Sequence, residues 1–280
     1  MGDGGFENVG RSFTLANGPM KACAKRSFAK VRGQRGKTLG LISLALGVTL
    51  ILTTHTFAGP PFLTDDPEPT DYQHWENYLF ASGDHTGGGY TIDGPAAEVD
   101  YGAFPDTQLS LIVPVTSVGG NTPHHTGLGD VDLSVKYRFV HETNSWPQIA
   151  FFPAVVLPTG NAVHGLGNGR VLFRLPLWLQ KSWGPWTTYG GGGATLNSAP
   201  GKRDFGFAGW LLQRDLGEHL ILGGEFYAQG RDADDDRGFV AFNFGGSYKL
   251  TDHFSLLASA GHSIAGQVHT FWYFALGWSL

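Results

Sequence analysis

Alternation of apolar and polar residues with a period of two is the feature that most restricts how this chain can fold. A period of two places successive side chains on opposite faces of a β-strand, so such a stretch predicts a strand with one apolar and one polar face. The C-terminal stretch 268–279 alternates in this way. The clearest case is 129–141, where one parity holds Val131, Leu133, Val135, Tyr137 and Phe139 and the other holds Asp132, Ser134, Lys136 and Arg138.

Twelve stretches of this kind follow one another along the chain. Most are about ten to thirteen residues long, and about 9–11 residues of a tilted strand cross the hydrocarbon core of a membrane. The sequence therefore predicts an all-β fold, an antiparallel transmembrane β-barrel of about 12 strands, with a count of ten left open. The stretches lie at about 73–82, 92–103, 108–118, 129–141, 148–158, 169–181, 186–196, 205–214, 219–230, 238–249, 253–262 and 268–279.

The links between these stretches alternate in length, which is typical of outer-membrane barrels with short periplasmic turns and longer external loops. An even strand count then puts both termini on the periplasmic side. The long links, rich in Gly, Asn, Asp or His, are near 119–128, 159–168, 197–204 and 231–237. The short ones are near 104–107, 142–147, 182–185, 215–218 and 250–252.

A soluble all-β sandwich or barrel is the alternative fold, and three features argue against it. The strands are long, the exported chain has no cysteine, and tryptophans cluster near predicted strand ends as in an interfacial girdle: Trp75, Trp146, Trp183, Trp186 and Trp278. Against the barrel stand Pro114, Pro153 and Pro176, since a closed barrel has no free edge for a residue without an N–H. We expect these prolines at bulges or rims.

Residues 1–58 have the three parts of a secretory signal peptide. A basic region precedes an apolar run from Leu39 to about Thr54, and small residues surround the expected cleavage site near Ala58. Translation from either Met1 or Met20 fits this pattern. A membrane-anchoring helix is the alternative, but the run of 16 residues falls short of the roughly 20 that span a bilayer.

Removal of the leader leaves an acidic chain. Residues 59–280 contain 11 Lys and Arg against 22 Asp and Glu, a net charge of −11, and the single cysteine leaves with the leader. This charge argues against nucleic acid as a partner. Without disulfides, stability must come from strand pairing and burial.

The predicted mature chain divides into a short segment and the barrel. Residues 59–72 are acidic and proline-rich and are expected to be a periplasmic segment that folds into the lumen as a plug, followed by the barrel at 73–280. The plug charges Asp65, Asp66 and Glu68, with Asp71, are expected to meet Arg170 or Arg174.

Strand parity also predicts which charges face the lumen. If the apolar parity faces lipid, the polar parity lines the interior, where opposite charges pair because isolated charges are costly away from water. Either a constriction that sorts solutes by charge or a salt-bridge network that fills the barrel fits this pattern, and small barrels favour filling. The candidate pore-lining residues are Glu76, Asp132, Lys136, Arg138, Arg170, Arg174, Glu225 and Tyr227.

Other clusters of polar residues support no cofactor, metal or catalytic site. The run Asp232, Asp234, Asp235 and Asp236 is typical of a solvated acidic loop, although such oxygens also suit Ca²⁺. His124, His125 and His164 lack the spacing of a zinc or copper site. His262 and Ser263 are adjacent in a strand and point to opposite faces, so they do not form a hydrolase pair. We therefore expect no enzyme activity.

Two motifs resemble a known family. The first is the start of the mature chain, from Gly59 to Pro69, followed by His74-Trp75-Glu76. The second is Gly127-Leu128-Gly129-Asp130-Val131-Asp132-Leu133 with Lys136-Tyr137-Arg138-Phe139, followed by Pro153 to Gly160. They resemble the outer-membrane transporters of the "meta-pathway of phenol degradation" family over essentially the whole mature chain, although the end Trp278-Ser279-Leu280 lacks a terminal aromatic. The resemblance implies a barrel that passes small aromatic or hydrophobic compounds.

We therefore expect a barrel of the bacterial outer membrane that acts as a passive pore for a small-molecule solute and contacts lipid and lipopolysaccharide. A plugged structural or adhesive barrel acting through its external loops is the alternative, and a barrel lipid hydrolase is a weaker one. The solute and the oligomeric state do not follow from the sequence.

Overall fold

The computed structural model describes residues 60–280, apart from residues 122 and 235. The leader 1–58, its cleavage site and the choice of start codon lie outside the described residues. In the part of the chain that is described, no helix has the length and apolar character needed to span a bilayer.

Twelve antiparallel strands form one closed barrel, so the predicted fold class is confirmed with twelve strands rather than ten. Each strand pairs with its neighbours in the chain, and the last strand pairs with the first from Glu76↔Ser279 to Thr86↔His269. The strands are β1 Trp75–Thr86, β2 Gly89–Phe104, β3 Thr107–Gly120, β4 in the two segments His125–Leu128 and Val131–Val140, β5 in the two segments Gln148–Phe151 and Ala154–Leu157, β6 Leu172–Trp183, β7 Trp186–Asn197, β8 Phe205–Asp215, β9 Leu220–Gln229, β10 Phe239–Lys249, β11 Phe254–Gly266 and β12 His269–Ser279.

The two faces of the barrel wall follow the sequence alternation. In β4, Leu133 and Tyr137 are 43% and 50% exposed on the outside, whereas Asp132 and Lys136 are 7% and 2% exposed on the inside. The exterior is thus apolar and the interior polar, as expected for a strand that separates lipid from a lumen.

The two ends of the barrel differ. One end, which we call the turn end, carries the start of β1, the end of β12 and the short links 105–106, 141–147, 184–185, 216–219 and 250–253. The opposite loop end carries the long links 158–171, 198–204 and 230–238 close to where they are predicted. The predicted long link 119–128 is mostly strand, because β3 continues to Gly120 and β4 begins at His125.

Pro153 lies at an interruption of its strand, and Pro114 and Pro176 lie opposite interruptions in neighbouring strands. Pro153 falls between the two segments of β5, and the neighbouring Phe152 N–H donates to the carbonyl of Pro176 in β6 at 3.1 Å. Pro114 of β3 faces the interruption in β4, where the Gly129 N–H donates to its carbonyl at 3.0 Å. The closed barrel therefore accommodates these prolines where the strand pairing is irregular, because proline has no N–H to donate to a neighbouring strand.

Candidate functional site in the barrel lumen

Most of the charged residues predicted to line the lumen lie on inward-facing positions. Asp132, Lys136 and Arg138 alternate with exposed apolar residues in β4, and Glu225 of β9 is fully buried. Arg170 differs from the prediction: β6 begins at Leu172, so Arg170 lies exposed in the link before the strand and does not share its inward face. The remaining candidates, Glu76, Arg174 and Tyr227, lie in β1, β6 and β9.

The N-terminal segment 60–72 passes through this lumen, held first by Glu225. One carboxylate oxygen of Glu225 accepts the Leu63 N–H and the other accepts the Thr64 N–H, each at 2.8 Å. Asn243 of β10 donates its side-chain amide to the same carboxylate at 2.8 Å and fixes its orientation. A buried carboxylate that accepts several N–H groups is a strong anchor, because charge-assisted hydrogen bonds exceed neutral ones in strength.

Lys136 holds the middle of the segment. Its Nζ lies 3.1 Å from Asp65 Oδ1 and 3.8 Å from Asp66 Oδ1, and it donates to the Glu68 carbonyl at 3.4 Å. The acids of the segment thus meet the cations of β4, not the expected Arg170 or Arg174. Glu68 contacts Arg138 at 3.9 Å, while Arg174 forms an ion pair with Asp132.

Neutral residues that the sequence did not single out tether the rest of the segment. The Ser259 hydroxyl of β11 donates to the Pro61 backbone carbonyl at 2.5 Å, and the side-chain Oε1 of Gln108 in β3 accepts the Thr70 N–H at 2.8 Å. The available signal was their position: each is a polar residue on the inward parity of its strand. Alternation marks such positions but does not say what they contact.

Burial strongly affects Asp66. Its side chain is about 1% exposed, and desolvation raises the pKa of this carboxyl to about 7 despite the opposing attraction of Lys136. The Glu68 N–H donates to its Oδ1 at 2.7 Å. When the segment is docked, Asp66 therefore gains or loses its proton near neutral pH.

Cavities lie on both sides of the segment. An inner chamber of about 360 Å³ faces the turn end and includes Pro61, Asp66 and Glu68 of the segment in its lining. An outer chamber of about 390 Å³ on the other side includes Leu63 and Asp65. Above it, a vestibule of about 870 Å³ continues toward the loop end. Residues of the segment therefore line both the inner and the outer chamber.

The link 158–171 folds over the vestibule. The carboxylate of Asp130 accepts the Gly160 N–H at 2.9 Å and the Asn168 N–H at 2.6 Å, and Leu166 within the link is buried. The rings of His125 and His164 stack with centroids 4.1 Å apart. No group of three or more potential metal ligands occurs among residues 60–280 as described.

The acidic link and the His–Ser dipeptide have other partners. Asp232 and Asp234 pair with Lys202 and Arg203 of the neighbouring link at 3.4 and 2.8 Å. His262 Nδ1 contacts the Thr270 hydroxyl at 2.8 Å. The Ser263 hydroxyl accepts the backbone N–H of His269 instead. The side chains of His262 and Ser263 therefore do not form a catalytic pair.

Comparison with known proteins shows a likeness in fold. No family model matches the chain, and no curated protein matches it in sequence. An outer membrane channel from Pseudomonas putida F1 superimposes with a TM-score of 0.60 at 16% identity, covering 77% of this chain and 98% of that one. The KdgM porin gives a TM-score of 0.51 at 11% identity, covering 72% and 99%. The fold is therefore that of an outer-membrane β-barrel of the channel and porin type.

Proposed function

We propose that the protein is an outer-membrane pore for passive uptake of small aromatic or hydrophobic solutes, with residues 59–72 acting as its plug. The observation that supports the proposal is the pair of chambers that the described part of this segment lines on either side. A barrel that only filled its interior would have no need for a vestibule of about 870 Å³ leading to that barrier.

The lining of the outer chamber supports the class of solute. Aromatic rings form much of its wall, from Phe152, Trp178, Phe205, Phe207 and Tyr227. Rings bury large apolar areas of a ligand, and pockets of 300–1,000 Å³ are typical of small-molecule sites. The resemblance of the Gly127–Phe139 region to the phenol meta-pathway transporters agrees with this class.

The proposed location follows from the exterior of the barrel. Its apolar outer face suits lipid, and tryptophans at the turn end, among them Trp75, Trp146 and Trp183, suit a membrane interface. With a cleaved leader, the chain reaches the outer membrane with its termini in the periplasm and its long links toward lipopolysaccharide. The proposed function is that of a passive pore and not of an enzyme.

A plugged structural barrel is the second candidate, and the density of contacts to the segment favours it. Glu225, Lys136, Ser259 and Gln108 all bind residues 61–70. If these contacts are permanent, the chambers never connect and the external links alone carry the function.

Single-channel recording in planar bilayers distinguishes these functions. We expect small or rare openings from the full mature chain and a clear rise in conductance on deletion of 60–70, because the divided chambers then join. A variant in which residues 60–70 are replaced by a Gly and Ser sequence of equal length controls for the shortening of the chain before β1. Unchanged conductance in both variants rules out the plug, and silence from all three heat-modifiable barrels supports the structural alternative.

A further inference from the structure

Carboxylates outnumber cations in the middle of the lumen. Among the described residues that line the outer chamber, Arg174 is the one cation beside Asp65, Glu98 and Asp132. Lys136, on the inward face of β4, lies within electrostatic range of Asp65, Asp66, Glu76, Glu98 and Asp100. The site therefore has more carboxyl groups than cationic ones.

Both cations are already paired with acids. Arg174 is in an ion pair with Asp132, and Lys136 contacts Asp65 and Asp66. Asp132 is 7% exposed and lines both the outer chamber and the vestibule, yet its Oδ1 accepts no hydrogen bond from any residue that the structure describes. Glu98 lines the outer chamber without a salt bridge to a described residue. The carboxyl groups of this chamber can thus bind a further positive charge.

The aromatic wall provides a second element of recognition. Trp178, Phe207 and Tyr227 follow one another along the interior, with ring centroids 6.1 and 6.3 Å apart. The chain itself places an ammonium against a ring in this region: Lys136 Nζ lies 4.7 Å from the Phe152 centroid and 3.1 Å from Asp65. Ring faces attract cations, and the attraction is stronger where water is excluded.

We propose that the outer chamber is a binding site for organic ammonium solutes that carry an apolar or aromatic body. Glu98 and Asp132 hold the ammonium, and the rings of Phe207 and Tyr227 hold the body. This inference rests on the proposed pore and names the substrate class of the same lumen. A carboxylate solute would compete with Asp132 for Arg174, and no second cation lines the described part of the chamber.

Isothermal titration calorimetry on the full refolded chain tests the site with three matched probes: phenethylammonium, phenylacetate and phenethyl alcohol. We expect the ammonium to bind at least tenfold more tightly than the other two. Glu98→Gln should weaken ammonium binding about five- to tenfold, and Phe207→Leu about three- to tenfold, through loss of the ring face. Asp252→Asn, which changes an exposed carboxylate in a turn, should leave the affinity unchanged.

The inference is overturned if phenylacetate binds as tightly as the ammonium, or if Glu98→Gln and Asp252→Asn behave alike in folded barrels. Flux of the same solutes into proteoliposomes separates this failure from failure of the pore. Flux that favours phenylacetate rejects the ammonium site but keeps the pore, whereas ammonium binding without flux of any solute keeps the site and rejects the pore.

Discussion

At the scale of single residues, glycines determine how closely the N-terminal segment can approach the wall. A Cβ added at Gly209 of β8 would lie in forbidden contact with the Thr64 hydroxyl, 1.9 Å away, and 3.0 Å from Thr64 Cβ. Thr64 is fully buried there, so it has little room to move. The absence of a side chain at this position is therefore part of what lets the segment dock.

Substitution Gly209→Ala should displace the segment and raise single-channel conductance toward that of the 60–70 deletion. Gly206→Ala, in the same strand, is the matched control, because its Cβ would have no neighbour closer than Gly193 O at 3.7 Å. Both variants should keep heat-modifiable migration on gels. Equal conductance of the two variants would contradict a docked segment at Thr64.

Asp66 predicts a pH dependence of plug docking. Its folded pKa of about 7 lies above the ordinary 3.8, so the ionised form opposes docking and the protonated form does not. This contribution to docking is complete below about pH 4 and is lost as pH rises through 7. The titratable groups around it are Asp65, Glu68, Glu76, Lys136 and Tyr189.

We therefore expect open probability to increase from pH 6 to pH 8 in the full chain and to vary much less in Asp66→Asn. Asparagine keeps an oxygen for the Glu68 N–H but does not titrate. Recordings at both pH values measure the difference. The same slope in the variant and the parent chain would assign the dependence to another group.

At the scale of elements, the sequence predicts strands well and contacts across the lumen poorly. Alternation placed Asp132, Lys136 and Arg138 on the inner face because parity is a local property of one strand. The partner of Asp65 depends on strand tilt, register and the path of a segment without secondary structure, none of which parity contains. Hence the expected contact with Arg174 became a contact with Lys136. Arg170 was misplaced because the predicted start of β6 was three residues early.

The link 158–171 offers a second element-scale prediction. Asp130→Ala removes the acceptor for the Gly160 and Asn168 N–H groups and should release the link from the barrel mouth. Hydrogen bonds to a charged group contribute roughly 1.5–3 kcal/mol each. Exposed Arg170 lies in this link, so tryptic cleavage after Arg170 should accelerate about tenfold or more. Asp234→Ala, which breaks only an exposed ion pair with Arg203, should leave that rate unchanged.

At the scale of the whole molecule, closure of the barrel removes the free edges of the sheet. It also stabilises the chain without the disulfides that many exported proteins have. Pairing of β12 with β1 satisfies the last backbone groups along eleven register positions, and no cysteine occurs after residue 23. Stability then depends on the apolar outer face remaining in lipid. The loss of unfolding free energy caused by a charge on this face therefore measures where the membrane lies.

Two substitutions on the outer face of β4 test the placement of the membrane. Leu133 is 43% exposed near the middle of the strand, and Phe139 is 49% exposed near the turn end. Leu133→Arg should lower the free energy of unfolding in lipid vesicles by about 2–4 kcal/mol, the cost of arginine near the midplane, and Phe139→Arg by about 0–1 kcal/mol beyond the loss of its ring. Reversible denaturation in guanidinium, followed by tryptophan fluorescence, measures both. Equal costs at the two depths would mean that the apolar band does not lie across the bilayer, because a soluble barrel has no reason to distinguish these two exposed positions.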